Sequence, residues 1–366
     1  MWLTIPATIL VAFYIMLIRI FRTGWKGMDY FQPRLSDMDY EEIQVSVIVT
    51  CKNEEQHLPE LIKKLQAQSY QKFELVLVND HSEDRTVAIM QQASALFSSF
   101  IYVEAKAQGK KKALAEGINA CSGNLIIITD ADCQPPKRWI ETIIKFQTES
   151  PSDLIICPVK LKGEKKVFSI LQQFEFTSLV ASGAGAAGAH FPILCNAANL
   201  AFTKKAWIES IKDLKNEEQS GDDIFLLQSI KKRKGIIRFL KSTQAFTVTE
   251  PAPNLKAFFR QRRRWAGKST AYSDPQLIFT ACTVLGISLT QLALLIGGCF
   301  NILYLYLYLF FFLIKYWTDL RFLSEVSDFF SLPSVPVYSF LLSAIYPFYI
   351  ALTGISALLF KPKKWK

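Results

Sequence analysis

The sequence is poor in the residues that build most zinc sites. It has only three histidines, and its seven cysteines include no Cys-x-x-Cys pair and no histidine partner at zinc spacing. His57, His81 and His190 are scattered along the chain, so none of them is expected to be a catalytic base. Cysteines without a pairing or metal pattern are typical of a reduced, cytosolic domain.

The N-terminal segment lacks the basic start and the small-residue cleavage site of a secretory signal peptide. Residues 2–20 contain one charged residue, Arg19, and Arg22 and Lys26 follow. This pattern predicts an uncleaved transmembrane anchor over residues 1–22, with its basic flank on the cytoplasmic side. The expected location is the cell (inner) membrane.

A second stretch, from Leu277 to Ile314, contains no charged residue at all. As a single helix it would be about 57 Å long, nearly twice the hydrocarbon core of a bilayer, so two helices that turn near Gly297–Asn301 are expected. A later apolar segment contains Pro347, which a membrane helix tolerates. The C-terminal membrane region, residues 273–366, is therefore expected to hold three apolar segments: 277–297, 299–316 and 335–360.

The lysine-rich tail constrains the topology. Four lysines follow Phe360, and four membrane crossings would place them opposite the middle of the chain, against the tendency of basic residues to stay cytoplasmic. The sequence leaves open whether one of the four segments lies in the interface or re-enters. A multi-pass protein with a cytoplasmic catalytic domain is the expectation.

The charge distribution bears on the partners. The formal net charge is +10, and the basic residues cluster beside the apolar segments. This favours an anionic membrane surface over nucleic acid as the partner. Between the apolar segments, residues 37–253 are mixed in polarity and long enough for one substantial domain.

Strand and helix patterns alternate through this central domain. Apolar strand runs begin at Val45, Phe73, Phe100 and Leu125, with helical spacing of apolar residues between them. Such alternation predicts an α/β fold with a mostly parallel sheet. Polar clusters follow three of these runs, at Thr50–Glu55, Asn79–Asp84 and Asp130–Asp132. Because ligands gather at the carboxyl ends of parallel strands, we expect the clusters to form one site.

The run that ends in Asp130-Ala131-Asp132 presents two carboxylates two residues apart. If the chain stays extended through Asp132, both side chains lie on one face. Hard oxygen ligands favour Mg²⁺ or Mn²⁺, with waters and a phosphate as the remaining ligands. Taken alone, the pair is more typical of a solvated loop than of a metal site.

The other polar clusters also allow structural roles. Ser82 or Asp84 is expected to cap the following helix, and Asp80 to contact a ligand. The residues Asn53–Glu55 either complement a helix dipole or bind a ligand. Lys110 is either part of a solvated helix start or, after Gly109, a donor to a diphosphate.

Two features further along the chain bear on the chemistry. Asp222 and Asp223 precede an apolar helix, where each is either a cap or a carboxylate able to take a proton from an attacking hydroxyl. Residues 254–272 carry alternating aromatic and basic side chains around Gln261-Arg262-Arg263-Arg264-Trp265, which predicts an amphipathic helix at the membrane interface. Its arginines contact lipid head groups, or some of them act at the active site with the indole.

Together these residues resemble the motifs of the membrane-integrated glycosyltransferases of family 2. This GT-A group contains the cellulose, chitin and hyaluronan synthases and the ceramide glucosyltransferases. The similarity covers about residues 45–270. It is carried by the first strand with Asn53-Glu54-Glu55, the acidic turn at Asp80, the D-x-D at Asp130–Asp132, Asp222-Asp223, and Q-(Q/R)-x-R-W at Gln261–Trp265.

The resemblance implies a role for each matching residue. Thr50, Glu54 and Asp80 would hold the uridine, Lys110 would lie near the nucleotide, Asp130 would contact the donor, and Asp132 would bind the divalent metal, Mg²⁺ or Mn²⁺. Asp223 aligns with the catalytic carboxylate, and Asp222 stands where the family usually has Glu. Gln261, Arg264 and Trp265 would contact the acceptor or the diphosphate. Cys195–Asn199 resembles a region that faces the acceptor. Lys112 and Ala115 stand where many members have Gly and Asn.

The expected function is an inverting, metal-dependent transfer of a hexose or N-acetylhexosamine from a UDP-sugar to a lipid or membrane-held acceptor. Asp223 would be the general base, giving a β-linked product from an α-linked donor. The small number of membrane segments favours a single transfer over the alternative, processive polysaccharide synthesis. A catalytically inactive nucleotide-binding membrane module is the third reading.

Overall fold

A computed structural model describes residues 4–33, 43–211, 222–267 and 271–359. The chain divides into two compact units. One unit consists of helices and groups the described residues of 4–27, 163–193 and 251–359. The other contains the sheet and is formed by residues 28–162 and 194–250.

The strands of the sheet unit confirm the predicted α/β fold. Seven of them form one sheet in the order β3-β2-β1-β4-β7-β5-β8, and β6 pairs with β9 in a second, two-stranded sheet. Their bounds are β1 (Val45–Cys51), β2 (Phe73–Asn79), β3 (Phe100–Glu104), β4 (Leu125–Asp130), β5 (Leu154–Ile156), β6 (Val159–Leu161), β7 (Leu200–Thr203), β8 (Ile237–Phe239) and β9 (Thr247–Thr249).

The sheet is parallel where the polar clusters lie. β1 pairs in parallel with β2 on one side and with β4 on the other, while β7 runs antiparallel to β4 and β5. The strands β1 and β2 are buried along their whole length, as expected of parallel strands covered by helices on both faces. The order of strands reverses between β1 and β4, and such a switch point is where open α/β sheets bind ligands.

Helices cover this sheet. In the described residues they are α2 (Leu58–Gln66), α3 (Thr86–Ala93), α4 (Lys110–Ala120), α5 (Trp139–Glu149), α7 (Lys204–Ser210) and α8 (Asp222–Lys232). The apolar residues of α2 at helical spacing, predicted from the sequence, are all buried and join one core with the inward side chains of β1 and β2.

The helical unit contains four helices long and apolar enough to cross a membrane, within the described residues: α1, α10, α11 and α12. Its helices are α1 (Thr4–Gly27), α6 (Val167–Gly188), α9 (Leu255–Ala266), α10 (Pro275–Gly298), α11 (Ile302–Phe330) and α12 (Val335–Leu359). The chain turns between α10 and α11 within the predicted stretch, and α12 continues through Pro347.

Three boundaries differ from the sequence-based expectation. Helix α1 continues past residue 22 to Gly27, and α11 continues past residue 316 to Phe330. Residues 163–193 group with the membrane helices and interrupt the expected continuous domain 37–253. The reason is that α6 packs along α1, where small residues allow a very close approach.

The α1–α6 crossing depends on glycine. A Cβ on Gly24 would lie 2.0 Å from the carbonyl oxygen of Gly185, and a Cβ on Gly185 would lie 2.2 Å from the carbonyl oxygen of Phe21. The two backbones are therefore in direct contact, which larger side chains would prevent.

Helices α1 and α11 run parallel. The Tyr14 hydroxyl donates to Asp319 Oδ1 at 2.5 Å. Closer to the C-terminal ends of both helices, Arg22 Nε donates to Glu325 Oε1 at 2.5 Å. Residue numbers rise together along both helices, so their C-terminal ends lie on the same side.

Candidate active site

The three predicted polar clusters lie at one edge of the sheet. In the pairing register Thr50 is opposite Val78 on β2 and opposite Asp130 on β4. The Asp80 N–H donates to the carbonyl of Cys51 at 2.8 Å, so the chain after β2 stays bonded to the end of β1. The carboxyl ends of β2, β1 and β4 thus bring Thr50, Asp80 and Asp130 to neighbouring positions.

The loops after β1 and β2 hold each other through side chains. Ser82 Oγ accepts the N–H of Asn53 at 3.0 Å, and Asn53 Oδ1 accepts the N–H of Glu83 at 2.8 Å. Asn53 and His81 both have positive φ, at 55° and 56°, a conformation that costs energy outside glycine and here is fixed by these bonds.

Asp84 stabilises the start of α3, as predicted for Ser82 or Asp84. Its carboxylate accepts the N–H of Thr86 at 2.9 Å and that of Glu55 at 3.1 Å. Burial acts to raise the pKa of Asp84, but the hydrogen bonds from Thr86 and Glu55 outweigh it and lower the pKa. Asp84 therefore serves the loop structure.

Glu54 is a buried member of the same loop. Its backbone N–H donates to Thr86 Oγ1 at 2.8 Å, and its Oε2 lies 3.0 Å from His57 Nδ1. Glu54 is buried, as is Thr50 at the end of β1.

Asp80 is fully buried, and only one of its two carboxylate oxygens has a hydrogen-bond partner among the described residues. Its Oδ1 accepts the N–H of Gly109 at 2.8 Å, whereas its Oδ2 has no hydrogen-bond partner among the described residues. Gly109 has φ +125°, a conformation that suits glycine. A buried carboxylate oxygen without a donor is costly, so this atom is suited to accept an N–H or O–H from a ligand.

Lys110, the first residue of α4, forms an ion pair with Asp130 through its ammonium group and Asp130 Oδ1. Both side chains are partly exposed. The pair shows that the Lys110 ammonium can reach the carboxylate at the end of β4, where an anionic ligand or a metal would also be held.

The D-x-D motif does not stay extended, which corrects the geometry assumed from the sequence. β4 ends at Asp130, and the Cys133 N–H donates to the Asp130 carbonyl at 3.1 Å, closing a turn through Asp132. The carboxylates therefore are not neighbours on one strand face, because the backbone bends between them.

The donor chemistry at this turn fits a hard divalent cation. Asp130 and Asp132 offer carboxylate oxygens, the ligand type that Mg²⁺ and Mn²⁺ prefer. Burial and the charges of Asp132 and Asp130 raise the pKa of Cys133 well above its usual range. The described residues contain no cluster of three or more His, Cys, Asp or Glu side chains that could enclose a metal. A cation here would take its remaining ligands from water or a bound diphosphate.

Asp223 lies in the first turn of α8. Its Oδ2 accepts the N–H of Ala197 at 3.2 Å, and its Oδ1 accepts the N–H of Ile224 at 2.9 Å. The carboxylate is thereby fixed in orientation and remains half-buried. Helix α8 begins at Asp222, whose side chain lies outside the described part of the chain.

The segment 195–199 shows one correction. Asn199 is fully buried: its Oδ1 accepts the Trp139 indole N–H at 2.8 Å, and its Nδ2 donates to the carbonyls of Pro158 and Ala245. It therefore cannot face an acceptor, since every hydrogen-bonding group of the amide is already used within the core. Ala197, by contrast, contributes its N–H to Asp223.

Gln261, Arg264 and Trp265 lie on α9, in the helical unit, and all three are half-buried. Phe258 and Arg262 are the buried residues among those of this helix that the structure describes, and Arg262 pairs with Glu175 of α6. The sequence did not indicate this role of Arg262, nor that the N–H groups of Gly109 and Ala197 bond to Asp80 and Asp223. Only the alternation of Phe258, Arg262 and Trp265 at helical spacing hints at a shared face.

Comparison with known proteins bears on the central part of the chain. Residues 46–211 match the family described as glycosyl transferase family 2. The match ends before Asp223 and before α9. The chain is 36% identical over 107 residues to an undecaprenyl-phosphate 4-deoxy-4-formamido-L-arabinose transferase of Pseudomonas syringae, covering 28% of this chain and 32% of that protein.

A second relative is a dolichol-phosphate mannosyltransferase of Pyrococcus furiosus, 32% identical over 124 residues, which are 34% of this chain and 35% of that one. The chain thus spans about a third of the length of these two curated relatives. Among solved structures, the mannosyltransferase PcManGT of Pyrobaculum calidifontis, in complex with GDP-Man and Mn²⁺, superposes with a TM-score of 0.59 at 17% identity and covers 96% of both chains. This likeness concerns the fold alone and agrees with the expected GT-A fold.

Proposed function

We propose that the protein transfers one sugar from a nucleoside diphosphate sugar, a UDP-sugar, to a hydroxyl group of a lipid or membrane-held acceptor, with inversion at the anomeric carbon. The observation that carries this proposal is the fixation of Asp223 by the backbone N–H groups of Ala197 and Ile224, 3.2 and 2.9 Å away. A half-buried carboxylate with a fixed orientation is suited to be a general base.

The donor side of the proposal rests on Asp80, Lys110 and the D-x-D turn. The unpartnered Oδ2 of Asp80 would accept a base N–H or ribose hydroxyl, close to Thr50 and Glu54. Lys110 would exchange its contact with Asp130 for the diphosphate. Asp132, with Asp130, would hold Mg²⁺ or Mn²⁺, which when bound stabilises negative charge on the departing diphosphate.

On the acceptor side, Asp223 would carry out the chemical step. Its carboxylate would take the proton from the acceptor hydroxyl as the oxygen attacks the anomeric carbon opposite the diphosphate. The attack forms the glycosidic bond as the bond to the diphosphate breaks, so an α-linked donor gives a β-linked product. Gln261, Arg264 and Trp265 would contact the acceptor or the diphosphate.

We also propose a multi-pass arrangement in the cell membrane with the catalytic domain cytoplasmic. If α1, α10, α11 and α12 all cross the bilayer, α1 and α11 must run in the same direction, and their contacts through Tyr14–Asp319 and Arg22–Glu325 support this. The basic end of α1, with Arg22 and Lys26, would then face the cytoplasm.

A lipid phosphate is the second candidate acceptor, favoured by the names of the two relatives. A phosphate is already ionised at neutral pH and needs no base, so the two candidates differ in their demand on Asp223. Transfer to a phosphate would survive loss of this carboxylate, and transfer to a hydroxyl would not.

The test is turnover by the full-length protein in lipid vesicles. A panel of labelled UDP- and GDP-sugars is supplied with Mg²⁺ or Mn²⁺, and the product is analysed for sugar identity, number of sugars and linkage. We expect one UDP-sugar to give a lipid carrying a single sugar, with activity lost in EDTA and restored by metal. A polymer would favour processive synthesis, and absence of turnover across the panel would overturn the proposal.

A further inference from the structure

The Q-R-R-R-W helix α9 is joined to α6 by a buried ion pair. Arg262 Nε donates to Glu175 Oε1 at 2.9 Å, and a second guanidinium nitrogen bonds to Glu175 Oε2. Both side chains are only 4% exposed. The two-pronged contact fixes the plane of the guanidinium and not just its distance.

A third helix contributes to the same carboxylate. The hydroxyl of Tyr349, on α12, donates to Glu175 Oε1 at 2.9 Å. The ring of Tyr349 also packs against Phe258 of α9, with ring centroids 5.6 Å apart. Glu175 is therefore the common acceptor that ties α9 and α12 to α6.

Arg262 connects Glu175 to the motif residues of α9. Its guanidinium lies over the Trp265 ring at 4.3 Å from the centroid and over the Phe258 ring at 4.5 Å. It also donates to the side chain of Gln261. On the other side Trp265 packs against Phe176 of α6, with centroids 6.2 Å apart. Two of the three motif residues thus touch the side chain that Glu175 holds.

We propose that Glu175 is the positioning residue of the Q-R-R-R-W helix: through Arg262 it fixes the orientation of Gln261 and Trp265 for the acceptor. The proposal rests on the proposed function, because that function assigns these residues to acceptor binding. A buried ion pair is often no more stable than a well-packed apolar pair, and its two-pronged geometry supplies orientation that apolar packing does not.

The test replaces the whole pair at once. Removing one partner would leave a buried charge and risk unfolding, whereas Glu175→Met with Arg262→Met keeps the volume and leaves no orphan charge. The matched control is Arg260→Met, which removes an exposed arginine of the same helix. Tyr349→Phe is the mild variant, since it removes a single hydrogen bond to Glu175.

The expected result is weaker binding of the acceptor, with binding of the donor unchanged. We expect the double variant to raise the KM for acceptor about tenfold or more, with the KM for donor and acceptor-independent donor hydrolysis within about twofold of wild type. Tyr349→Phe should raise the acceptor KM about threefold, and Arg260→Met should change none of these. An unchanged acceptor KM, or equal changes in both KM values, would overturn the proposal.

A second measurement does not depend on activity. Amide hydrogen exchange of residues 255–266 should be faster in the double variant than in wild type and in Arg260→Met, at equal thermal stability. Unchanged exchange would overturn the positioning role even if the wild-type protein transfers no sugar, whereas faster exchange without any turnover would overturn only the proposed function.

Discussion

Replacement of Asp223 by asparagine is expected to abolish transfer to a hydroxyl acceptor and leave the domain folded. The side chain keeps its size, but the amide cannot accept a proton from the attacking hydroxyl. General-base catalysis contributes about 10²–10⁴ to a rate, so we expect kcat to fall by about that factor while the KM for donor stays unchanged.

The structure limits the cost to folding. Asp223 accepts one N–H from Ala197 and one from Ile224, and asparagine can accept only one of them while its amide N–H₂ faces the other. Loss of one such bond costs about 1 kcal/mol. A matched control is Asp153→Asn, because Asp153 is also half-buried and accepts the N–H of Ile236 at 2.8 Å.

The assay compares both variants with wild type in labelled transfer and in thermal unfolding. We expect both variants to lose similar small amounts of stability, and only Asp223→Asn to lose activity. Full transfer to a hydroxyl acceptor by Asp223→Asn would refute the assignment of the base. Retained transfer confined to a lipid phosphate would instead identify the second candidate acceptor.

Three further substitutions test the fold and the donor site. Gly24→Ala should destabilise the protein by at least about 1–3 kcal/mol because its Cβ would meet backbone, whereas Gly27→Ala, with nothing within 4 Å, should not; thermal unfolding in detergent distinguishes them. Asn199→Ala should cost at least about 2 kcal/mol in unfolding free energy, since it removes the partner of the Trp139 indole N–H and of the Ala245 carbonyl, and an unchanged melting temperature would contradict this. Asp80→Asn should raise the KM for donor about tenfold through loss of a charged acceptor while the acceptor KM is unchanged; equal effects on both would contradict the donor role.

The sequence predicted the first half of the sheet well. β1, β2 and β4 are mostly apolar, buried runs that end in polar clusters, and burial on both faces leaves little freedom in where such strands begin and end. The parallel order then follows from the helices between them. For the same reason the meeting of Thr50, Asp80 and Asp130 at one edge was predictable.

Other parts of the site depend on contacts that a local pattern does not contain. Carboxylate oxygens of Asp80 and Asp223 accept the backbone N–H groups of Gly109 and Ala197. Every residue except proline carries such a group, so the sequence does not mark these two donors. The turn at Asp132 depends on one backbone bond after β4. These features require the folded chain.

The division of the chain into two units also could not be predicted from local sequence patterns. Residues 163–193 contain many small residues, and their spacing alone does not say which surface they pack on. The approach of Gly24 to Gly185 sets α6 closely against α1. Glu175 and Arg262 are 87 residues apart in the sequence, so neither residue indicates from the sequence that the other is its partner.

The anomeric configuration of the product tests the central claim most directly. With whichever α-linked sugar nucleotide the protein accepts, the purified glycolipid is analysed by proton NMR for its anomeric coupling. An inverting transferase with Asp223 as base must give the β-linked product. An α-linked product would contradict a single displacement assisted by that carboxylate.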